Sequence, residues 1–226
     1  MAKLKIVVAT RVSEADFHTQ TATGRSLRFY NDPGVELMLF PENTQGLSTV
    51  YNRAIDACKD DPAILVFAHD DLHLTNFFWR HELDQGLHHF PIVGIVGNRR
   101  RVAGQSSWAF VDDRFTWDEK RHFSGVVGHG QPFTRPLSDF GPSCCEVKLL
   151  DGLFIAVHSQ TLWQHGIRFD EQFQFHFYDL DFCRQAEQKG VKMGTWKIAI
   201  FHESPGNFSS DGWRQGYAQY MNKWKG

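Results

Sequence analysis

The sequence has no hydrophobic run approaching the roughly 20 residues that span a bilayer. Its first ten residues, MAKLKIVVAT, hold only the short apolar stretch IVVA, too brief for the core of a secretion signal. Both absences predict a cytoplasmic protein whose membrane contacts, if it makes any, are peripheral. Cysteine is scarce: Cys58, Cys144, Cys145 and Cys183 form no C-x-x-C pair, and the adjacent Cys144 and Cys145 are poorly placed for an ordinary disulfide. A disulfide scaffold is therefore excluded, and reduced, mostly buried thiols are expected. No charge excess exists either, with 24 Lys and Arg against 26 Asp and Glu, a net charge of −2. A general affinity for nucleic acid is not expected from that balance. Internal repeats, low-complexity tracts and linkers are all missing, so residues 1–226 are read as a single domain.

What is abundant is phenylalanine, with 20 residues, and histidine, with 12. Both suit a site for flat or metal-bound ligands, and both also suit ordinary packing. The apolar pattern alternates between strand and helix. Leu4–Thr10, Val35–Phe40 and Ala63–Ala68 read as buried strands, and Leu47, Val50, Tyr51, Ala54, Ile55 and Cys58 recur at helical spacing between the second and third. Arg11–Arg28 reads as an irregular loop. Phe77–His89 reads as a helix and Pro91–Gly97 as one more buried strand. Ala103–Ser143, rich in Gly, Pro, Trp and Phe, shows at most short strands, and a loop region of that length is usually functional. Farther on, Glu146–Leu150, Leu153–His158 and Val191–Phe201 read as strands, and Gln160–His165 and Asp179–Lys189 as helices. This order predicts an α/β fold with a mostly parallel sheet flanked by helices.

In such sheets ligands bind beyond the carboxyl ends of strands. The polar residues at those ends are His69-Asp70-Asp71, Asp151-Gly152 and His202, with Asp179 and Asp181 opening a helix. Each taken singly is equally at home in a turn or as a helix-dipole partner.

Three segments, NTQGLSTVYNRAIDA (43–57), AILVFAHDDLHL (63–74) and the stretch from Asp151 to His202, carry a resemblance in content and order. Together they resemble the nucleotide-sugar-dependent glycosyltransferases of the GT-A fold, in particular the family 2-like group. The resemblance implies a GT-A-type, Rossmann-like α/β/α sandwich with a mostly parallel central sheet. It implies glycosyl transfer from a nucleoside-diphosphate sugar, UDP-linked first among the candidates, to a glycan or lipid-linked acceptor, with inversion. A divalent cation, Mn²⁺ or Mg²⁺, would offset the charge growing on the leaving diphosphate.

Residue by residue, the family's D-x-D motif falls on His69-Asp70-Asp71, so histidine stands at its first position. Asp71 and His202 are the implied metal ligands, and Asp179 is the implied base, with Tyr178 in place of the family's preceding Glu. Thr10, Arg11, Glu42, His69 and Asp70 fall where the family meets the nucleotide or donor. Asp151, Gly152 and Trp163 are the candidates for sugar or acceptor contact. Two other classes use parts of the same set. A metal-dependent nucleotidyltransferase or hydrolase needs Asp71 and His202 but no acceptor base, and a silent nucleotide-sugar-binding module needs no base at all.

Overall fold

The computed structural model describes residues 3–204, 206 and 208–225. The chain opens with the strand β1 (Leu4–Ala9), then two helices, α1 (Glu14–Gln20) and α2 (Ala22–Tyr30), and β2 (Val35–Phe40). The expected loop at 11–28 is thus two helices. Each has a side-chain N-cap, Ser13 accepting from the Asp16 amide and Thr21 from the Gly24 amide. The buried face of α2 is built from Ala22, Thr23, Gly24 and Ser26. Small residues bury a helix face without producing an apolar periodicity, so the pattern gave no sign of it.

Next come α3 (Leu47–Ala57), β3 (Ile64–Ala68), the short β4 (Leu72–Leu74) and α4 (Trp79–His89). The expected single strand at 91–97 is two, β5 (Ile92–Gly94) and β6 (Val96–Asn98), in different sheets. The chain changes sheet at Ile95. Gly97 allows this, because a Cβ there would overlap the Leu149 carbonyl oxygen. A one-turn 3₁₀ helix (Lys120–His122), β7 (Phe123–His129) and β8 (Ser138–Gly141) follow, and then β9 (Glu146–Val147), β10 (Leu149–Leu150), β11 (Phe154–His158) and α5 (Ser159–His165). The remainder is α6 (Tyr178–Gln188), β12 (Met193–Thr195), β13 (Ile200–His202) and α7 (Asp211–Trp224). The strands expected at 146–150 and 191–201 are therefore also divided between sheets, and α7 lies beyond the last element read from the sequence.

The main sheet has the order β2-β1-β3-β11-β5-β12-β9. Within it β2, β1, β3, β5 and β12 run one way and β11 and β9 the other, so the sheet is mostly parallel. Side chains alternate across it into two cores. Val7, Leu65, Phe67, Ile155 and Val157 pack with α3, α5, α6 and α7 on one face. Ile6, Val8, Val66, Phe154 and Ala156 pack on the other with Phe17 of α1 and Trp79 and Leu83 of α4. This is the expected three-layer α/β/α sandwich. A smaller mixed sheet, β10-β6-β7-β13-β4 with β8 beside β7, stands against the second core and forms one side of the cleft described next.

Candidate functional site

A cleft of about 1020 Å³ opens beyond the carboxyl ends of the parallel strands. His69, Asp70, Asp71, Asp151, Gly152, Asp179 and His202 all line it. Topology explains the first convergence. β13 pairs with β4 in antiparallel register, His202 opposite Leu72, which sets Asp71 beside His202. His69 follows directly on β3, its amide bonded to the Leu153 carbonyl at 3.1 Å. The 69–72 turn is fastened by α2: the Thr23 hydroxyl donates to the His69 carbonyl at 2.7 Å and accepts from the Leu72 amide at 3.1 Å, and the Thr23 amide reaches the Asp70 carbonyl at 3.0 Å. The segment that read as a loop is the brace of the site.

One ligand-type atom each from His69, Asp71 and His202 lies within 4.8 Å of the others. His202 Nε2 is 3.2 Å from Asp71 Oδ1, and His69 Nδ1 is 3.9 Å from the same oxygen. Asp71 Oδ1 and His202 Nε2 are nonetheless buried without a hydrogen-bond partner. Orphaned buried polar atoms are uncommon, and this pair, with His69 Nδ1 beside it, offers two nitrogens and one oxygen that fit a divalent cation. Burial opposes the charge on Asp71, but His202 beside it holds its carboxyl below the usual range. Burial also opposes protonation of His202, and Asp71 outweighs it, raising that imidazole. His69 is shifted down by burial and by His202, which keeps it neutral.

The turn Asp151-Gly152 links this trio to α6. The Gly152 amide donates to Asp179 Oδ2 at 3.0 Å, and the Gly152 carbonyl accepts from the Tyr178 hydroxyl at 2.9 Å. Tyr178 in turn lies 2.8 Å from His69 Nε2. A Cβ at Gly152 would overlap the Tyr178 hydroxyl, so only glycine lets α6 approach this closely. Asp151 is itself held by Trp108, whose Nε1 donates to Oδ2 at 2.7 Å. The entry to α6 is strained: Phe177 has φ 65°, a left-handed conformation for a bulky residue. It is kept there by packing against Trp213 and Tyr220 of α7. Burial, with the Asp151 carboxylate nearby, pushes the Asp179 carboxyl up to about 7. A carboxylate poised near neutrality suits a general base.

The remaining candidates are placed as follows. Thr10 is buried at the end of β1, and its hydroxyl donates to Asp70 Oδ2 at 2.6 Å. Arg11 and Glu42 are exposed at the ends of β1 and β2, with the Glu42 amide bonded to the Val12 carbonyl at 3.0 Å. None of Thr10, Arg11, Glu42 and Trp163 is among the residues lining the cleft. Trp163 sits on α5, its ring flanked by Lys59 and Arg168 at 5.6 and 5.5 Å.

Sequence reasoning did not place the wall supplied by the 104–143 segment. Trp108, Phe110, Trp117 and Phe140 line the cleft and join Phe208 in an edge-to-face and stacked array. Trp117 remains 57% exposed and Phe208 42% exposed, an open aromatic surface on this wall of the cleft. The density of Trp and Phe in that stretch was the one signal available. All four cysteines are free; Cys58 and Cys183 are buried, but Cys144 is exposed and Cys145 half-buried, so the expected burial holds for only two of them. No described helix is long and apolar enough to cross a membrane.

Comparison with known proteins gives three findings. The model of a glycosyltransferase-like family matches residues 6–206. No curated protein matches the sequence. Among solved structures, A197 from STIV aligns at a TM-score of 0.50 with 10% identity, covering 93% of this chain and 100% of that one, a likeness of fold. TarS 1-349 from S. aureus, solved with UDP-GlcNAc, aligns at a TM-score of 0.49 with 14% identity, covering 91% of this chain and 59% of that one.

Proposed function

The chain belongs to this glycosyltransferase-like family, and from that premise we propose that it moves a glycosyl group from a nucleoside-diphosphate sugar to an acceptor hydroxyl. One observation carries the reading: a single cleft holds both a carboxylate poised near neutrality, Asp179, and the clustered trio of His69, Asp71 and His202, in which Asp71 Oδ1 and His202 Nε2 are buried without a hydrogen-bond partner. Asp179 takes the acceptor proton as the acceptor oxygen attacks the anomeric carbon, and the bond from that carbon to the diphosphate breaks in the same displacement. Attack opposite the leaving group inverts the anomeric centre. Asp71, His202 and His69 would hold a divalent cation, Mn²⁺ or Mg²⁺, whose charge offsets that of the leaving diphosphate when bound.

The nucleotide lies at the Asp70 end, where Thr10 holds the carboxylate from behind and Arg11 and Glu42 stand outside the lining, and the first donor to test is UDP-linked. Asp151 and Gly152 shape the junction between donor sugar and acceptor. The open faces of Trp117 and Phe208 favour a glycan acceptor over a lipid tail, because pyranose rings present flat C–H faces to aromatic rings while their hydroxyls meet nearby polar groups. Glycan or polysaccharide synthesis in the cytoplasm is the resulting setting, and four free thiols suit a reducing compartment.

The test is a melting-temperature panel of UDP-, GDP-, dTDP- and CMP-linked sugars with and without Mn²⁺, since a ligand bound only by the folded state raises the midpoint. A metal-dependent rise with one nucleotide, lost in Asp71→Ala, is expected. Asp179→Asn is expected to keep that rise and lose turnover. Hydrolysis of the donor at equal rate in Asp179→Asn would instead indicate a hydrolase, and binding without turnover by the unmodified protein a silent module.

A further inference from the structure

Two residues of this chain depart from the family pattern it resembles: His69 at the first position of the strand-end acidic motif and Tyr178 before the candidate base. They are separated by 109 positions, yet they touch, His69 Nε2 lying 2.8 Å from the Tyr178 hydroxyl. We propose that the two departures form one unit: Tyr178 is a positioning residue that presents His69 Nδ1 as a third metal ligand, giving a two-histidine, one-carboxylate site that takes Mn²⁺ in preference to Mg²⁺. The inference rests on the metal reading of the site given above and assigns the ion its class.

Proton bookkeeping fixes the orientation. The Tyr178 hydroxyl spends its single proton on the Gly152 carbonyl at 2.9 Å. Toward His69 it can therefore only accept, so the imidazole carries its hydrogen on Nε2 and leaves Nδ1 bare. Nδ1 is the ring nitrogen that faces Asp71, at 3.9 Å from Oδ1. An outer hydrogen bond that fixes the tautomer and plane of a ligating imidazole is the usual companion of such a ligand. Tyr178 is itself immobile, only 3% exposed and packed against Tyr51 and Phe169. The Gly152 carbonyl that accepts its proton belongs to the same residue whose amide holds Asp179, so metal end and base end share one rigid turn.

Ligand chemistry then sets the ion. Mg²⁺ takes oxygen donors and keeps its waters, whereas imidazole nitrogen is accepted more readily by the divalent transition metals. Two nitrogens and one oxygen are offered here, where a pair of carboxylates would offer oxygen alone.

The experiment is Mn²⁺ binding without nucleotide or turnover, followed by the loss of the free-ion electron paramagnetic resonance signal, with Mg²⁺ as competitor. It uses the unmodified protein, Tyr178→Phe, His69→Gln and the double variant, each checked for folding by its circular dichroism and melting curve. Expected is that the unmodified protein binds Mn²⁺ and that equimolar Mg²⁺ does not displace it. Tyr178→Phe weakens Mn²⁺ by about 10- to 100-fold, and adding it to His69→Gln has no further effect, because its action passes through His69. Equal effects of Tyr178→Phe with and without His69 would overturn the positioning role, as would affinity unchanged within twofold. Equal competition by Mg²⁺ would overturn the ion assignment. Should Tyr178→Phe not fold, His69→Gln decides: unchanged Mn²⁺ affinity there removes His69 from the ligand set. No Mn²⁺ binding by the unmodified protein overturns the metal reading itself and this inference with it, while leaving the transfer reading to the nucleotide panel.

Discussion

Replacing Asp179 with Asn stabilises the protein in alkaline solution while abolishing turnover. The carboxyl is raised from an ordinary 3.8 to about 7, first by burial and then by Asp151. A folded state that binds a proton more tightly than the unfolded chain is most stable while the group is protonated and loses stability as pH rises through about 7. Linkage over that interval gives a burden of about 2 kcal/mol at pH 5 and about 4 kcal/mol at pH 8. These are upper bounds, because Asp179 is partly open to the cleft and water screens it. The Asn variant forfeits one of the two amide bonds accepted by the carboxylate, from Gly152 and Leu180, but that cost does not change with pH. The difference between the two proteins therefore shifts by about 2–3 kcal/mol in favour of Asn from pH 5 to pH 8, or about 5–10 °C in melting temperature for a chain of this length. Thermal unfolding in EDTA at several pH values reads it directly, and EDTA keeps bound metal from masking the effect. Parallel curves for the two proteins across that range would refute the assignment of a raised carboxyl at 179. In the same logic Asp151→Asn removes a neighbouring charge, lowers the Asp179 carboxyl and moves the acid limb of the rate profile to lower pH.

Gly152→Ala pushes Tyr178 and Asp179 away from the 151–152 turn, because the new methyl would overlap the Tyr178 hydroxyl; a loss of about 1–3 kcal/mol in urea unfolding and of all transfer activity is expected. Asp118, fully shielded and held by Arg100 and Asn98, has its carboxyl depressed to about 2, so it contributes stability above the unfolded value of 3.8 that is lost as pH falls through about 2. Asp118→Ala, which takes one acceptor from the buried Asn98 amide and leaves Arg100 to solvent, is expected to cost about 1–3 kcal/mol at pH 7 and to flatten the stability profile below pH 4. Lys223→Met leaves the buried Asp181 carboxylate without its cation at 2.6 Å and is expected to cost about 3 kcal/mol, with the double variant Asp181→Leu/Lys223→Met recovering part of it.

Legibility in the sequence followed the physics of each segment. The strands β1, β2 and β3 and the helices α3 and α6 announced themselves through bulky apolar residues at the right period. Helix α2 did not, because it buries Ala, Thr, Gly and Ser. Continuous apolar runs at 91–97 and 191–201 concealed a change of sheet, since a run buried in one sheet reads the same as one divided between two. Within the site, the strand-end positions of Asp71, Asp151 and His202 were legible from the pattern of apolar runs ending in acids and imidazoles. The bond between His69 and Tyr178 was not, because spacing along a chain carries no information about two side chains that meet only after folding. The aromatic wall had composition as its only signal, and composition does not say which rings stay open.

Helix α7 ties the last turn of the described chain to the helix that carries Asp179. Lys223 Nζ and Trp224 Nε1 both reach Asp181 Oδ1, at 2.6 and 2.8 Å, two residues beyond the base, and Trp213 and Tyr220 hold Phe177 in its left-handed conformation. During synthesis, then, every acid and imidazole of the cleft leaves the ribosome before the residues that lock α6 in place. A chain shortened at residue 210 keeps the acids and imidazoles of the cleft but loses the contacts from Trp213, Tyr220, Lys223 and Trp224 that hold Phe177 and Asp181, so the groups are present without the packing that fixes α6.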